Sequence, residues 1–204
     1  RLTNIRFADD IMLYAKSPRE LTEMLDLLQE EFAKSGLQLN PDKTKVFTSS
    51  APPVQNHLAT AAGPVDVVSK DASHKYLGKQ LAGDFANRSA VDLRGRLAAA
   101  WVKWHQHKKT LLNNKISVKL RLKLFSSTVC PVATYGLQCA TLTVAQEQKL
   151  DVTQRKMLRS IAGWRRQTDE DWADTMRRMR DRVERAVRLH PVERWSRSVR
   201  RQQH

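Results

Sequence analysis

The sequence predicts an α+β fold, in which a partial antiparallel sheet with a packed helix precedes an entirely helical half. Short apolar runs separated by turn residues fill the chain up to residue 84. From Asn87 onward the apolar residues recur at helical spacing. With 204 residues, of which 41% are hydrophobic, the chain is long enough to bury a core as one domain or two small ones.

Positive charge is concentrated in the later parts of the chain. Residues 1–84 carry 10 basic and 11 acidic side chains, residues 85–150 carry 11 and 2, and residues 151–204 carry 15 and 8. A concentrated cationic surface favours a polyanion as partner, and nucleic acid is favoured over a membrane. A solvated basic face without a partner is the alternative.

Two classes of protein are excluded by composition. No run of about 18 apolar residues is present, which excludes a membrane span. Cys130 and Cys139 are too few for a disulfide scaffold or a four-ligand zinc site, and we expect two reduced thiols in a helical region. Because the chain opens on Arg1 without an initiator Met or a signal peptide, we expect it to be a piece of a longer polypeptide.

The first predicted element is a β-hairpin. The apolar runs Ile5–Phe7 and Ile11–Tyr14 flank Ala8, Asp9 and Asp10, which places an acidic pair at a tight turn. Two carboxylates at ~4 Å repel each other by about 1 kcal/mol in water, and a divalent cation such as Mg²⁺ removes that cost. Two such ions suit phosphoryl transfer. An exposed acidic turn without a ligand is the alternative.

A helix follows the hairpin, with a capping box formed by Ser17 and Glu20, Pro18 at its first position and Gly36 at its end. The remaining elements predicted before residue 84 are strands over 37–39 and 45–48 joined by a turn at 40–42, an exposed connection over 49–64, a strand over 65–68, and a strand over 74–81 with a break at Gly78.

The second half is predicted to be helical. One broad helix face carries Leu93, Leu97, Trp101, Trp104, Lys108 and Leu111. Around it lie Lys103, His107, Lys109 and Lys115. Residues 117–136 fit both a strand and a longer helical stripe; we favour the helix, kinked or ended by Pro131. A helix over 146–162, a helix from about Asp169 and a frayed basic tail over 194–204 complete the prediction.

Four ordered motifs over residues 3–165 resemble a known family. Phe7-Ala8-Asp9-Asp10 resembles the catalytic hairpin of reverse transcriptases, which is an aromatic-x-Asp-Asp sequence. The helix that opens on Ser17-Pro18, with residues 36–40 and 43–45, looks like the next palm motif of the non-LTR (LINE-type) retrotransposon enzymes. Residues 74–78 resemble the primer-grip strand. A further similarity is to the helical region behind the thumb of these enzymes. The residues that carry it are 119–125, Pro131, Tyr135-Gly136 and 155–158.

The resemblance implies a role for each matching residue. Asp9 and Asp10 would be catalytic metal ligands, and Phe7 would pack near the primer end. Lys43 or Lys45 would neutralise charge near the departing pyrophosphate or donate a proton, unless it is simply a solvated lysine. The primer grip would be lined by Tyr76, Leu77 and Gly78, for which strand packing is the alternative. A thumb helix along the template–primer duplex would contact phosphates through Lys103, His107, Lys109 and Lys115.

The resemblance also implies the organisation and the partners. Residues 1–84 would be the C-terminal part of the palm with the primer-grip strand, residues 85–166 the thumb and post-thumb region, and residues 167–204 a basic helix and tail. The cofactor would be Mg²⁺, with Mn²⁺ as a substitute. The partners would be an RNA template, a DNA primer and deoxynucleoside triphosphates.

The family also needs a third aspartate and the fingers, which would come from an upstream segment of the parent polypeptide. We therefore expect the isolated chain not to polymerise. Two other functions stay open at this point: a nucleic-acid-binding remnant of a retroelement without catalysis, and a globular remnant without either activity.

Overall fold

A computed structural model describes residues 3–49 and 56–203. These residues form seven strands, six α-helices and one short 3-10 helix, and the mixed α and β architecture agrees with the predicted α+β class. The strands are β1 Asn4–Phe7, β2 Asp10–Leu13, β3 Lys45–Val46, β4 His57–Thr60, β5 Gly63–Val67, β6 Ser73–Tyr76 and β7 Lys79–Ala82. The helices are α1 Pro18–Lys34, α2 Arg88–Leu111, α3 Val118–Thr134, α4 Val144–Ile161, α5 Trp172–Leu189 and α6 Trp195–Arg201, with the 3-10 helix over Leu137–Cys139.

The chain forms two compact units. The first consists of Arg1–Tyr76 with Leu81–Arg88, and the second of Leu77–Gln80 with Ser89–His204. In the described ranges, no helix combines the length and the apolar character that crossing a membrane requires.

The first unit contains the predicted hairpin. Strands β1 and β2 pair antiparallel, and the pairing of Phe7 with Asp10 leaves Ala8 and Asp9 as a two-residue turn. Helix α1 begins at Pro18 as predicted, and the Ser17 hydroxyl accepts a hydrogen bond from the Glu20 amide at 3.2 Å. The Glu20 carboxylate accepts from the Lys16 amide at 2.6 Å instead of the Ser17 amide, so only half of the predicted capping box forms. The hairpin and the start of this helix are therefore confirmed.

A second sheet of the first unit corrects two predictions. Residues 37–39 form no strand, and the Leu39 amide instead donates to the Gln29 side chain at 2.8 Å. The predicted hairpin between residues 37–39 and 45–48 is therefore wrong. Strand β3 pairs in parallel with β5, through Lys45 opposite Asp66, and β4 pairs antiparallel with β5. This arrangement depends on residues some 20 positions apart in the chain, which local alternation does not reveal.

Two other strand predictions also change. The predicted exposed connection over 49–64 contains β4 and the start of β5, while its residues 50–55 lie outside the described residues. The strand predicted over 74–81 is a hairpin, in which β6 and β7 are joined at Leu77-Gly78. Leu77 and Gly78 have φ angles of 45° and 78°. Two consecutive positive φ angles are characteristic of the tight turns that join antiparallel strands.

Five helices build the core of the second unit. Its fully buried side chains include Leu111, Leu122, Phe125, Val129, Leu150, Met157 and Ile161. Helix α3 confirms the helical interpretation of residues 117–136, and it continues past Pro131 to Thr134. Helix α4 confirms the predicted helix over 146–162, and Gly163, with φ of 82°, follows its end.

The prediction of a frayed tail over 194–204 is wrong. Residues 195–201 form α6, in which Trp195 and Val199 are almost completely buried. The Gln154 side chain holds the start of this helix, since its amide nitrogen donates to the Glu193 carbonyl at 2.7 Å and its oxygen accepts from the Trp195 amide at 3.1 Å. Trp195 and Val199 are four residues apart and share one helix face, a pattern obscured by the surrounding arginines.

A buried cation joins two helix ends of the second unit. The Arg121 guanidinium donates to the carbonyls of Leu111 and Ile161, the last residues of α2 and α4, at 3.2 and 2.6 Å. Its Nε donates to the Ile116 carbonyl at 3.1 Å. Burial lowers the pKa of Arg121 from its ordinary value, with a smaller contribution from the charge of Arg182. Cations stabilise helix C-termini, where carbonyl groups lack partners within the helix.

Candidate active site

The acidic hairpin presents its two carboxylates on a strained turn. Ala8, the first turn residue, has a φ of 52°, a conformation that L-residues with a Cβ adopt at a cost. Asp9 is the second turn residue and Asp10 is the first residue of β2. The Tyr14 amide donates to the Thr3 carbonyl at 2.8 Å just beyond the paired residues. The paired strands thus fix both acids at one end of a short ribbon.

The carboxylates of Asp9 and Asp10 are accessible to a ligand. Both residues are exposed, and no hydrogen bond or ion pair to either carboxylate occurs within residues 3–49 and 56–203. Adjacent carboxylate oxygens suit Mg²⁺, which takes one or two protein carboxylates and completes its shell with water and phosphate oxygens. The same residues contain no cluster of three His, Cys, Asp or Glu side chains able to hold a metal. The pair therefore fits as part of a ligand set.

Tyr76, predicted for the primer grip, lies near the acidic hairpin within the first unit. Burial raises the pKa of Tyr76, and the nearby Asp10 and Tyr14 raise it further. Its hydroxyl is shielded from solvent and has no hydrogen-bond partner among the described residues. Phe7, the aromatic residue of the motif, is 64% exposed at the end of β1. The charge of the predicted metal ligand Asp10 is thus felt by the predicted primer-grip tyrosine within this unit.

The two candidate lysines have different surroundings. Lys45 lies in β3, and its ammonium group donates to the Asp66 carboxylate at 2.6 Å. This hydrogen bond, together with the lysine charge, lowers the pKa of Asp66. Lys43 lies in the turn before β3, where its amide donates to the Asn40 side chain at 3.1 Å, and its own side chain is exposed. Because Lys45 already has an acidic partner, Lys43 is the better candidate for binding phosphate.

The Leu77-Gly78 turn is held in the second unit by residues of α3 and its C-terminus. The Tyr135 hydroxyl donates to the Leu77 carbonyl at 3.3 Å, and the Lys79 ammonium donates to the Gly136 carbonyl at 2.9 Å. A Cβ on Gly78 would lie 3.2 Å from the Tyr135 ring. The ring therefore packs closely against a position where only glycine fits without strain.

Asp92 is a buried acid that sequence reasoning missed. It accepts a hydrogen bond from the Gln80 amide at 3.2 Å, and its carboxylate lies 3.5 Å from Lys79 Nζ and 3.8 Å from Arg96 Nε. Arg96 in turn lies over the Tyr135 ring, 5.2 Å from its centroid. Only two acids occur in residues 85–150, and Asp92 directly precedes a core leucine. The sequence signal that could have identified Asp92 is a single acidic residue on the apolar face of a basic helix.

The four predicted phosphate-binding residues do not share one face. Lys103 and His107 are half-buried and lie four residues apart along α2. Lys109 is exposed and lies two residues beyond His107, which places it about 160° away around the helix. Lys115 is exposed in the connection after α2, and its amide donates to the Asn113 side chain at 2.9 Å. Contact of these residues with nucleic acid stays a prediction.

Comparison with known proteins agrees with the first part of this description. Residues 1–81 match the family described as reverse transcriptase (RNA-dependent DNA polymerase). A transposon-derived protein of Caenorhabditis elegans is 31% identical over 163 residues, which cover 79% of this chain and 57% of the relative. No solved structure matches the chain. The predicted reverse-transcriptase resemblance is thus confirmed for residues 1–81, and the non-LTR subtype stays a prediction.

Proposed function

We propose that this chain is the palm-and-thumb part of a non-LTR reverse transcriptase, in which Asp9 and Asp10 bind catalytic Mg²⁺. The observation that carries the proposal is the two-residue hairpin turn, which exposes two adjacent carboxylates that have no hydrogen bond or ion pair to any other described residue. The family match over residues 1–81 includes this hairpin. The chain spans only 57% of the relative's length, and the remaining ligands and the fingers belong to the parent polypeptide in this proposal.

The proposed reaction is nucleotidyl transfer. The primer 3′-hydroxyl gives up its proton to solvent and its oxygen forms a bond to the α-phosphorus of a nucleoside triphosphate. The bond from this phosphorus to the oxygen that bridges to the β-phosphate breaks, and pyrophosphate leaves with that oxygen. Asp9 and Asp10 would hold Mg²⁺, which would supply charge neutralisation on the phosphates and make the attacking hydroxyl more acidic. Within this chain, the hairpin fixes the spacing of the Asp9 and Asp10 carboxylates, and Lys43 provides a mobile cation for the leaving pyrophosphate.

The Leu77-Gly78 turn has a positioning role in this proposal. A primer terminus must be held in line with the reacting phosphate, and small displacements cost rate steeply. Tyr135 and Lys79 fix the turn by two hydrogen bonds, and Asp92 fixes Lys79. These residues act through the turn and do not touch the reacting atoms.

Metal binding tests the proposal on the chain itself. Mn²⁺, detected by electron paramagnetic resonance, is expected to bind the wild-type chain weakly, because two carboxylates form an incomplete ligand set. The Asp9→Asn and Asp10→Asn variants are expected to lose this binding. Asp71→Asn, an exposed acid outside the hairpin, is the matched control and should bind Mn²⁺ like the wild type. Equal binding by all four proteins would contradict the proposed site.

Primer extension tests the activity. The isolated chain is expected not to extend a DNA primer on an RNA template, whereas joining it to its upstream fingers–palm segment should restore Mg²⁺-dependent extension. In that longer protein, Asp9→Asn should lower the rate by about a hundredfold or more, since a metal ligand is lost. Synthesis by the isolated chain, or full activity of the Asp9→Asn protein, would overturn the proposed assignment.

The second candidate function is a nucleic-acid-binding remnant without catalysis. It is favoured by the cationic charge of residues 85–204, which carry 26 basic and 10 acidic side chains. A labelled RNA–DNA duplex should then bind with an affinity that falls steeply with added salt. This candidate would be favoured over the polymerase if the chain binds the duplex but the longer protein, joined to its upstream segment, does not extend a primer.

A further inference from the structure

A groove between α4 and α5 combines an aliphatic floor with a cationic rim. The cavity measures about 750 Å³ and lies within the second unit. Its floor is formed by Val152, Leu158, Met176, Val183, Val187 and Val192. Its rim carries five arginines, Arg155, Arg159, Arg180, Arg188 and Arg194. Asp151 and Glu184 are the acids among the lining residues.

The rim arginines lack the ion pairs that four other arginines of this region form. Four arginines outside the cavity form ion pairs: Arg177 with Asp174, Arg178 with Glu170, Arg200 with Glu147, and Arg201 with Glu193. None of the five rim arginines forms an ion pair within the part of the chain that the structure describes. The acid Asp151 is already bonded to the Ser196 amide and hydroxyl, at 3.1 and 2.9 Å. The groove therefore keeps an excess of cationic charge.

The crowding of these cations has an electrostatic cost. Burial lowers the pKa of Arg159, and the neighbouring Arg155 lowers it further. An anionic ligand on the rim would relieve this repulsion and form charge-assisted hydrogen bonds with the guanidinium groups. The unpaired rim thus indicates an anionic partner.

The shape and chemistry of the floor identify the kind of partner. The groove continues into a second cavity of about 960 Å³, which shares Asp151, Val187, Val192 and Arg194 with the first. An elongated surface suits a segment of polypeptide better than a small molecule. Among the described residues, the lining contains no aromatic side chain on which the bases of single-stranded nucleic acid could stack. A duplex, which is contacted mainly through its phosphates, would leave the aliphatic floor uncovered. Aliphatic grooves between helices instead accept the apolar face of an amphipathic helix.

We propose that the α4–α5 groove is a docking site for an acidic amphipathic helix of a partner protein. Aliphatic side chains of the partner contact the floor, and its Glu and Asp side chains pair with the five rim arginines. The site lies outside residues 1–81 and needs no metal or nucleotide. A negative result for this docking site would therefore not count against the proposed polymerase function, and the converse also holds.

A model peptide tests the docking site. The probe is a fluorescein-labelled peptide of about 18 residues, long enough to be helical, with Leu at positions i, i+3, i+4 and i+7 and Glu at most others. Fluorescence anisotropy with the full chain is expected to show saturable binding. The double variant Arg180→Glu with Arg188→Glu should weaken binding by about tenfold or more, because two attractive contacts become repulsive. Val152→Asp, on the partly exposed floor, should weaken binding as well.

The controls separate the groove from general charge attraction. Arg177→Glu with Arg185→Glu makes the same change of charge on the same helix outside the groove, and should alter affinity by less than about twofold. A peptide of identical composition with the leucines scrambled should bind weakly, since it lacks an apolar face. Circular dichroism melting confirms that each variant remains folded.

Three outcomes would overturn the proposal. The first is an absence of saturable binding of the helical peptide. The second is equal binding of the helical and scrambled peptides, which would indicate charge attraction alone. The third is tighter binding of a uridine 20-mer RNA, with the groove variants losing RNA affinity more than peptide affinity; this result would assign the groove to nucleic acid.

Discussion

The two cysteines have opposite environments. Cys130 lies in α3, and burial raises the pKa of its thiol to about 11, whereas Cys139 is exposed. Because the thiolate is the reactive form, we expect a disulfide reagent at pH 8 to modify Cys139 rapidly and Cys130 slowly. Absorbance of the released chromophore should show two phases, and Cys139→Ser should remove only the fast phase. A single fast phase of two thiols would contradict the shielding of the half-buried Cys130 thiol.

The Cys130 thiol also makes stability depend on alkaline pH. Its pKa is raised in the folded chain, so between about pH 9 and 11 the unfolded chain loses this proton while the folded chain keeps it. The contribution to the free energy of unfolding is complete below pH 9 and is lost as the pH rises through this window. Urea denaturation of wild type and Cys130→Ala should show that the variant loses less stability over the same range.

Near the Leu77-Gly78 turn, removal of the Asp92 charge should have the largest effect on the free energy of unfolding. In Asp92→Asn, the Gln80 amide keeps an acceptor, but Lys79 and Arg96 lose their buried counter-charge. We expect a loss of about 2 kcal/mol in the free energy of unfolding, measured by urea denaturation. Asp71→Asn, an exposed acid, is the control and should change stability by less than about 0.5 kcal/mol. Equal effects of the two substitutions would contradict the network.

Among the elements, the β1–β2 hairpin contains a turn residue in a strained backbone conformation. Ala8 adopts a φ of 52°, which glycine adopts without cost. Ala8→Gly is therefore expected to stabilise the first unit by about 1 kcal/mol, measured by hydrogen exchange of the β1 and β2 amides. Gly36→Ala gives the opposite test, because Gly36 has a φ of 71° and open space around it, so only backbone strain is added. Destabilisation by Ala8→Gly would contradict the turn geometry.

The start of α5 depends on an acid-sensitive bridge. The Glu170 carboxylate accepts from Arg178 Nε at 2.7 Å and from the Thr175 hydroxyl at 2.8 Å, and the bond from Arg178 is the main cause that lowers the pKa of Glu170 to about 2. Its contribution to stability is present above about pH 4.5 and is lost as the pH falls towards 2. Glu170→Gln should flatten the dependence of the melting temperature on pH in this range. Asp174→Asn, which removes the exposed ion pair with Arg177, should leave the dependence of the melting temperature on pH unchanged.

Elements specified by neighbouring residues were predicted from sequence, and elements specified by distant residues were not. Ser17 and Glu20 are three positions apart, and Phe7 and Asp10 close a turn of two residues, so their patterns are visible locally. The parallel pairing of β3 with β5 joins Lys45 to Asp66 across 21 positions. Too few residues lie in β3 for alternation to be informative.

The same distinction applies to the candidate site. The Asp9–Asp10 pair is visible as a dipeptide between apolar runs, and the family match over residues 1–81 covers it. The contact of Lys79 with Asp92 depends on the packing of β7 against α2, which no periodicity encodes. Buried polar groups of this kind are recognised only when their partners are known.

Across the whole molecule, buried apolar residues are distributed unequally between the two units. The first unit contributes Leu25, Val65, Val67 and Ala82, whereas most buried apolar residues belong to the helices of the second. Since burial of apolar area dominates stability, the second unit should open less often. We expect native-state hydrogen exchange to be slowest for amides in α3 and α4 and faster in β4 and β5. Equal protection of these strands and helices would contradict the expectation.

The position of Arg121 has a consequence for how the helical unit comes apart. The Arg121 guanidinium donates hydrogen bonds to the last residues of both α2 and α4. If the last turn of one helix unwinds, the guanidinium loses one carbonyl acceptor while it remains bonded to the other helix. A partially melted state would leave that cation under-solvated in an apolar interior, which is more costly than melting both ends together. We therefore expect the ends of α2 and α4 to unfold together, which couples the connection before α3 to the segment that leads into α5.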